Sequence, residues 1–89
     1  MSERIRIRDG ALEWREVEGE VVALDLRSQT YLAVNSTGAA LWPALVSGAE
    51  RDELLTHLLD TFSVSRQQAA VDLDTFLADL ERQDLLEQA

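Results

Sequence analysis

The fold is decided by the stretch Leu24-Asp25-Leu26-Arg27-Ser28-Gln29-Thr30-Tyr31-Leu32-Ala33-Val34-Asn35. Before its polar turn, apolar residues alternate at Val22, Leu24 and Leu26, the period of two that is typical of a half-buried strand. After the turn, residues 30–34 are uncharged, lack Pro and Gly, and begin with a β-branched residue and an aromatic, which also favours a strand. We therefore expect a hairpin whose second strand, Thr30–Val34, is an exposed sheet edge where another peptide docks.

Size and charge limit the class of protein. The chain has 89 residues, of which 46% are hydrophobic, so a single globular domain is expected. It has no Cys, and its net charge of -9 disfavours nucleic acid and anionic membranes as partners. The N-terminus lacks the apolar core of a signal peptide, and no apolar run approaches the ~20 residues of a membrane span. These features predict a protein of the cytoplasm that binds neither nucleic acid nor membrane.

The N-terminal part predicts a three-stranded meander over 11–17, 20–26 and 30–34. Because the connections are short, neighbouring strands should pair in the order 1-2-3, which leaves the third strand at an edge. The first strand carries charges that discourage pairing with another sheet, whereas the third carries none. Residues 1–10 are an N-terminal arm or a short strand.

Three helices should follow. The first, capped by Asn35 or Ser36, spans 36–46, and Pro43 is expected to kink or break it. The second spans 51–62 with a leucine stripe, and the third runs from its Ser65 cap to about residue 83. Residues 85–86 should fold back onto the core and 87–89 should fray, so the domain proper is 11–86.

Few residues suggest chemistry. His57 is the only His and falls opposite the apolar stripe of its helix, where we expect a plain exposed side chain. The sequence has no Gly-rich phosphate loop and no nucleophile with a base at a useful spacing, so we expect no enzyme, no cofactor and no metal. On the last helix, Asp72, Thr75 and Asp79 fall on one flank of the buried stripe, which is a candidate binding face.

Several motifs together resemble the PqqD-like family. They are Val22 to Tyr31 in the hairpin, Asn35-Ser36-Thr37-Gly38-Ala39 before Leu41-Trp42, and Asp72-Leu73, Phe76-Leu77 and Leu80 on the last helix. The family comprises RiPP recognition elements, winged-helix-like domains that bind the leader segment of a ribosomally made, modified peptide. A stand-alone chain with these motifs is most similar to the stand-alone recognition proteins of lasso peptide pathways.

The resemblance implies an α+β fold, winged helix-turn-helix-like, with a three-stranded antiparallel sheet packed on three helices. It implies that the leader region of a precursor peptide adds as a strand beside Thr30–Val34 and is presented to a leader peptidase or other biosynthetic enzyme. The leader-binding residues carried over are Tyr31, Leu32, Ala33, Val34, Asp72, Thr75, Phe76 and Asp79. Pro43 and Asp84 depart from the family pattern, since Asp84 stands where a Gly usually precedes the final Leu.

Two other classes share this order of elements. A winged-helix DNA-binding regulator would need basic residues on its recognition helix, but the last helix carries Asp72, Asp74 and Asp79 between Arg66 and Arg82. A protein–protein adaptor or dimerisation module could use the same sheet edge.

Overall fold

The computed structural model describes residues 4–8 and 10–88. Its elements in chain order are β1 (Ile5–Ile7), β2 (Leu12–Val17), β3 (Glu20–Asp25), β4 (Thr30–Val34), α1 (Ser36–Ser47), α2 (Arg51–Thr61), α3 (Arg66–Arg82) and β5 (Leu86–Gln88). The expected α+β fold is confirmed. An antiparallel sheet in the order β2-β3-β4 packs on three helices, and β1 pairs with β5 in a separate two-stranded sheet.

The hairpin turns use backbone conformations that suit the right-handed twist of the strands. Between β2 and β3, Glu18 and Gly19 have φ values of 52° and 80°, as a type I′ turn requires. Between β3 and β4, the Gln29 N–H donates to the Asp25 carbonyl at 2.8 Å. These short turns fix the register, which places Leu24 opposite Tyr31 and Val22 opposite Ala33.

The phase of β3 differs from the sequence interpretation. Val21, Ala23 and Asp25 are buried at 2%, 0% and 6% exposure, whereas the alternating set Val22, Leu24 and Leu26 lies on the other side of the strand. The inward Asp25 is tolerated because its Oδ1 accepts the Arg27 N–H at 2.9 Å and the Ser28 N–H at 3.4 Å. The more hydrophobic face of β3 is therefore the face turned away from the helices.

Helix α1 continues through Pro43, so of the predicted kink or break the break is wrong. The Asn35 side chain caps its start by accepting the Gly38 N–H at 2.8 Å. Pro43 is exposed, while Leu41, Trp42 and Leu45 around it are fully buried. An interior Pro costs about 3 kcal/mol, but burying each large apolar side chain returns about 1.5–3 kcal/mol, which explains the continuous helix.

Helices α2 and α3 follow the prediction closely. Leu54, Leu55 and Leu58 of α2 are buried, and His57 is exposed on the opposite side. The Ser65 side chain caps α3 by accepting the Gln68 N–H at 3.1 Å. Ala69, Leu73 and Leu80 are buried along α3, and Phe76 and Leu77 are half-buried against the same core.

The two ends of the domain meet in the β1–β5 sheet. Of the two alternatives for the N-terminal arm, the described residues show the short strand, with Ile7 buried at 8% exposure. Residues 87 and 88, predicted to fray, instead pair with Arg6 and Ile5. The Arg6 Nη2 to Glu87 Oε1 bond of 2.7 Å reinforces this pairing. Residues 1–3, 9 and 89 lie outside the described residues, so the part of each terminal prediction that falls on them is not addressed.

Candidate peptide-binding site

The outer edge of β4 is free of any strand in the part of the chain that the structure describes. The Leu26 N–H donates to the Ala11 carbonyl at 3.0 Å, on the β2 side of the sheet. Because successive residues of a strand direct their backbone groups to opposite sides, Val21, Ala23 and Asp25 turn theirs toward β4. Their partners are Val34, Leu32 and Thr30. It follows that Tyr31 and Ala33 direct their N–H and C=O groups outward, away from the sheet.

The side chains of β4 alternate between two surroundings. Leu32 and Val34 are half-buried and pack against the core. Tyr31 and Ala33 are exposed on the side of Val22 and Leu24, and Tyr31 is 72% exposed. The four predicted strand residues are thus divided, because two of them support the sheet and two present both backbone and side chain to solvent.

Helix α3 reaches β4 through a close contact at Gly38. A Cβ on Gly38 would lie 2.5 Å from Phe76 Cε1 and 2.6 Å from Val34 Cγ1. The first turn of α1, the end of β4 and the middle of α3 therefore meet here without room for a side chain. Phe76 is half-buried at this point, so its ring belongs partly to the core and partly to the surface beside β4.

Two clefts mark the ends of the space between β4 and α3, which we call the groove. One, of about 480 Å³, is lined by Asp25, Arg27, Ser28, Thr30 and Gln83. The other, of about 100 Å³, is lined by Ser36, Thr37, Leu58, Phe62, Val64, Ala69 and Asp72. Thr30 thus shares a cleft with the end of α3, while the residues after β4 share one with its beginning. The strand and the helix therefore run in opposite directions along the groove.

The acidic residues of α3 differ in their partners. Asp72 is half-buried and accepts a hydrogen bond from Gln68 Nε2 at 2.8 Å. Asp79 pairs with Arg82 one turn along the helix at 2.7 Å. Asp74 accepts two hydrogen bonds from the Arg51 guanidinium, from Nε to Oδ1 and from Nη2 to Oδ2, each at 3.0 Å. This paired contact connects α3 to α2. Thr75 is exposed. Of the predicted acids, Asp72 is the one that lines a cleft without an ion-pair partner among the described residues.

The β3–β4 turn is held by residues that the sequence interpretation did not assign to the site. Arg27 donates to Asp84 Oδ2 at 3.1 Å and to the Gln83 carbonyl at 2.9 Å. Burial raises the pKa of Asp25, but hydrogen bonds from Arg27 and Ser28 outweigh this effect and leave its pKa below the usual value. Arg27 and Asp84 are 57 positions apart in the chain, and no sequence spacing signals such a contact. Gly38, by contrast, was already part of the motif that carried the family resemblance.

Other kinds of site find little support in the described residues. No group of three or more His, Cys, Asp or Glu side chains there is arranged to hold a metal ion. None of the helices described has the length and apolar character needed to cross a bilayer.

Comparison with known proteins identifies the family. The family described as coenzyme PQQ synthesis protein D (PqqD) matches residues 20–86, more than half of the chain. This protein belongs to the PqqD family. A search of curated proteins gave no match.

Two solved structures are similar over nearly the whole chain. One is described as TbiB1 in complex with the TbiA(beta) leader peptide; it has a TM-score of 0.82 and 32% identity, over 92% of this chain and 94% of that one. The other is a lasso peptide synthetase B1 complexed with the leader peptide, with a TM-score of 0.78 and 23% identity over 93% and 96% of the two chains. The second likeness is one of fold, and both structures hold a leader peptide.

Proposed function

We propose that this protein binds the leader segment of a ribosomal precursor peptide and presents it to a leader peptidase or another modifying enzyme of lasso peptide biosynthesis. The observation that carries the proposal is the open edge of β4, where Tyr31 and Ala33 turn their backbone groups outward. The similarity to TbiB1, a protein solved with a leader peptide, supports it. Such a role belongs in the cytoplasm, where ribosomal precursors are made.

Strand addition would let the protein bind leaders of different sequence, because the contacts are made to the peptide backbone. A peptide laid along β4 can accept from the N–H groups of Tyr31 and Ala33 and donate to their C=O groups. Each such bond contributes a net of about 0.5–1.5 kcal/mol. Affinity from the backbone alone is therefore modest, and the side chains along the groove must supply the rest.

The groove would select the side chains of the leader. Alternate residues of an added strand point to the same side, so one set would face Val34 and Phe76 and the other would face solvent. Apolar leader residues suit the half-buried Phe76, and a basic residue suits Asp72. Asp79 and Thr75 extend this wall along α3 and would contact a longer leader segment.

Catalysis would belong to the partner. The single His57 is exposed on α2. We propose that this protein contributes binding and presentation without a chemical step. We also propose that nucleic acid is not a partner, because the exposed acids of α3 have the wrong sign for a phosphate backbone. A gel shift at low salt with duplex DNA should show no complex.

The direct test replaces Ala33 with Pro. Pro removes the outward N–H and places its ring where the peptide would lie, yet it breaks no bond to β3, so the sheet should remain folded. Ala33→Val is the matched control, because it keeps the donor and suits a strand. In fluorescence titrations against candidate leader peptides, a leader that the original protein binds should bind Ala33→Pro at least tenfold more weakly and Ala33→Val within about threefold of the original.

Folding must be checked alongside binding. Circular dichroism should show the same helix and strand content for both variants. If Ala33→Pro is folded and binds the leader as tightly as the original protein, strand addition at this edge is wrong.

A further inference from the structure

The three-stranded sheet has a second open side, at the strand farthest from β4. Among the described residues, β2 pairs with β3 alone. Just before β2, Ala11 accepts the Leu26 N–H at 3.0 Å and so turns its carbonyl toward β3. Because successive residues of a strand direct their backbone groups to opposite sides, Leu12, Trp14 and Glu16 direct theirs away from the sheet. We call this row of outward backbone groups the β2 edge.

Two opposite charges lie along the β2 edge. Glu13 and Arg15 flank Trp14, are both exposed and project to the same side of the strand. Neither forms an ion pair among the described residues. Charges on an edge strand discourage pairing with another sheet in general, but opposite charges directly across a strand pair are favourable and like charges are not. The two charges can therefore select one partner in one register.

A second copy of the chain complements the β2 edge in such a register. In an antiparallel pair with its two-fold axis through Trp14, each Glu13 lies opposite Arg15 of the other copy. The two Trp14 residues then face each other through outward backbone groups and form hydrogen bonds. An axis through Glu13, Arg15 or Glu16 would instead place like charges opposite each other.

A cleft on the helix side of this edge gives a further complementary contact. Its volume is about 230 Å³, and its lining residues are Arg6, Ile7, Arg8, Gly10, Leu12, Trp14 and Val46. In the register centred on Trp14, Leu12 lies opposite Glu16 of the other copy. This exposed Glu16 forms no ion pair among the described residues. It is brought beside Arg6 and Arg8, whose side chains remain 41% and 42% exposed although each has a carboxylate partner.

The net charge of -9 does not oppose contact at this edge, because most of the excess acid lies elsewhere. Residues 1–27 hold five Arg and seven Asp or Glu, a net charge of -2, whereas residues 28–89 hold three Arg and ten Asp or Glu, a net charge of -7. Helix α3, which carries many of these acids, lies beside β4 at the other side of the sheet. Contact through β2 therefore keeps the acidic helices of two copies apart.

We propose that two copies of this protein associate through the β2 edge and form one continuous six-stranded sheet with a free β4 at each end. An edge of six residues is ~20 Å long, and such a contact is smaller than the ~800 Å² per partner of a stable interface. The dimer is therefore weak, with a dissociation constant of about 10–100 µM. The association does not depend on leader binding, and it leaves both leader-binding edges open.

Exchanging the two charges tests the register. Sedimentation equilibrium over a concentration series that spans this dissociation constant is the measurement. Arg15→Glu and Glu13→Arg each set like charges opposite each other and should weaken the dimer at least tenfold. They change the net charge in opposite directions, so overall repulsion cannot explain a loss in both. The double variant Glu13→Arg/Arg15→Glu has the original net charge, restores both cross-strand pairs and should dimerise within about threefold of the original.

A substitution at Glu16 tests the backbone contact. Glu16→Pro removes an outward N–H at a free edge, where Pro is tolerated, and should weaken the dimer at least tenfold. Glu16→Thr is the matched control, because it loses the same charge but keeps the donor and suits a strand. It should weaken the dimer less than Glu16→Pro does. Circular dichroism should show the helix and strand content of the original protein for every variant.

Four results would overturn the inference. An original protein that stays monomeric well above the expected dissociation constant forms no such dimer. A dimer that folded Arg15→Glu and Glu16→Pro variants leave intact has its interface elsewhere. If the folded double variant does not recover the dimer, the register is wrong. If a leader peptide that the protein binds disperses the dimer at saturation, the contact lies at β4. Leader binding itself is tested separately at Ala33, so the proposed function stands or fails independently.

Discussion

At the site, the residue type alone does not reveal which backbone groups are free or which acidic side chains are paired. Tyr31 and Leu32 are neighbours in β4, yet one turns its backbone to solvent and the other to β3. Asp72 and Asp79 lie two turns apart on α3, yet Asp79 has Arg82 as an ion-pair partner, whereas Asp72 has the neutral Gln68 and no ion-pair partner among the described residues. The two acids should therefore contribute unequally to binding.

Reversing the charge of Asp72 tests this difference. Asp72→Lys should weaken binding of a leader with a basic segment, and more at 20 mM than at 500 mM salt, because screening shortens the reach of the charge. Asp79→Lys should cost less, since an exposed pair such as Asp79–Arg82 contributes only about 0–1 kcal/mol and already offsets much of the charge.

Titrations at both salt concentrations give the readout, with Asp72→Asn as the matched neutral variant. A loss for Asp72→Lys that is the same at low and high salt would point to packing in the cleft rather than to charge.

For single residues, the sequence predicted which side chains share a helix face but not which of them form ion pairs. Helical spacing alone put Asp72, Thr75 and Asp79 on one flank of α3, and the structure keeps them there. It could not reveal that Asp74 is engaged by Arg51, because that contact depends on how α2 packs against α3.

Among the elements, α1 lies in tight contact with two of its neighbours at Gly38. The ring of Phe76 from α3 and the side chain of Val34 from β4 occupy the space that a Cβ would need. The groove therefore depends on a residue in a helix that does not line the free edge.

Gly38→Ala should destabilise the protein. In an open helix the change would gain about 1 kcal/mol, but overpacking costs about 1–3 kcal/mol, and contacts at 2.5 and 2.6 Å leave no room for the methyl group. We expect a net loss of about 1 kcal/mol in urea unfolding and weaker leader binding, because Phe76 must move.

Phe76→Leu serves as the partner change for Gly38→Ala. Because Leu is smaller than Phe, the double variant should lose less unfolding free energy than the sum of the losses of the two single variants. If Gly38→Ala alone raises stability, the close contact at this position is wrong.

The elements themselves were largely predictable, whereas their orientation was not. Strand bounds, helix starts and the edge position of β4 follow from turns, caps and short connections. The phase of β3 was misread because Asp25 is polar yet buried, and alternation alone cannot distinguish a core face from an apolar face that is turned to solvent. Trp14 is 41% exposed, and its ring packs edge-on against that of Trp42 with the ring centroids 6.0 Å apart.

Across the whole molecule, Asp84 joins three separate parts of the fold. Its carboxylate accepts from Arg8 after β1 at 2.8 Å and from Arg27 in the β3–β4 turn at 3.1 Å. It does so with a φ of 58° between α3 and β5, which explains why Gly is usual at this place in the family. Asp in place of Gly at position 84 thus makes the positive φ less favourable but adds ion pairs through its carboxylate.

Two substitutions at Asp84 separate these effects. Asp84→Gly loses the ion pairs but relieves the positive φ, and Asp84→Ala loses the pairs and keeps the unfavourable backbone. Asp84→Ala should therefore unfold with a free energy about 1 kcal/mol lower than that of Asp84→Gly, a difference of about 4–8 °C in melting temperature. Equal stability of the two variants would show that the backbone at 84 relaxes when its carboxylate is removed.

The contacts that close the molecule were beyond prediction. The pairing of β1 with β5 joins residues that are 79 to 83 positions apart, and the sequence carries no periodic signal for it. A three-residue strand is visible as a strand only once its partner is in place.

Amide hydrogen exchange at Tyr31 and Ala33 is the most direct measurement of the central claim, strand addition to β4. In the free protein both amides should exchange fast, whereas those of Leu32 and Val34, bonded to β3, should be protected. Saturating leader peptide should slow Tyr31 and Ala33 at least tenfold and leave Leu32 and Val34 protected as before. A leader that binds while the amides of Tyr31 and Ala33 still exchange at their free rates would contradict the account.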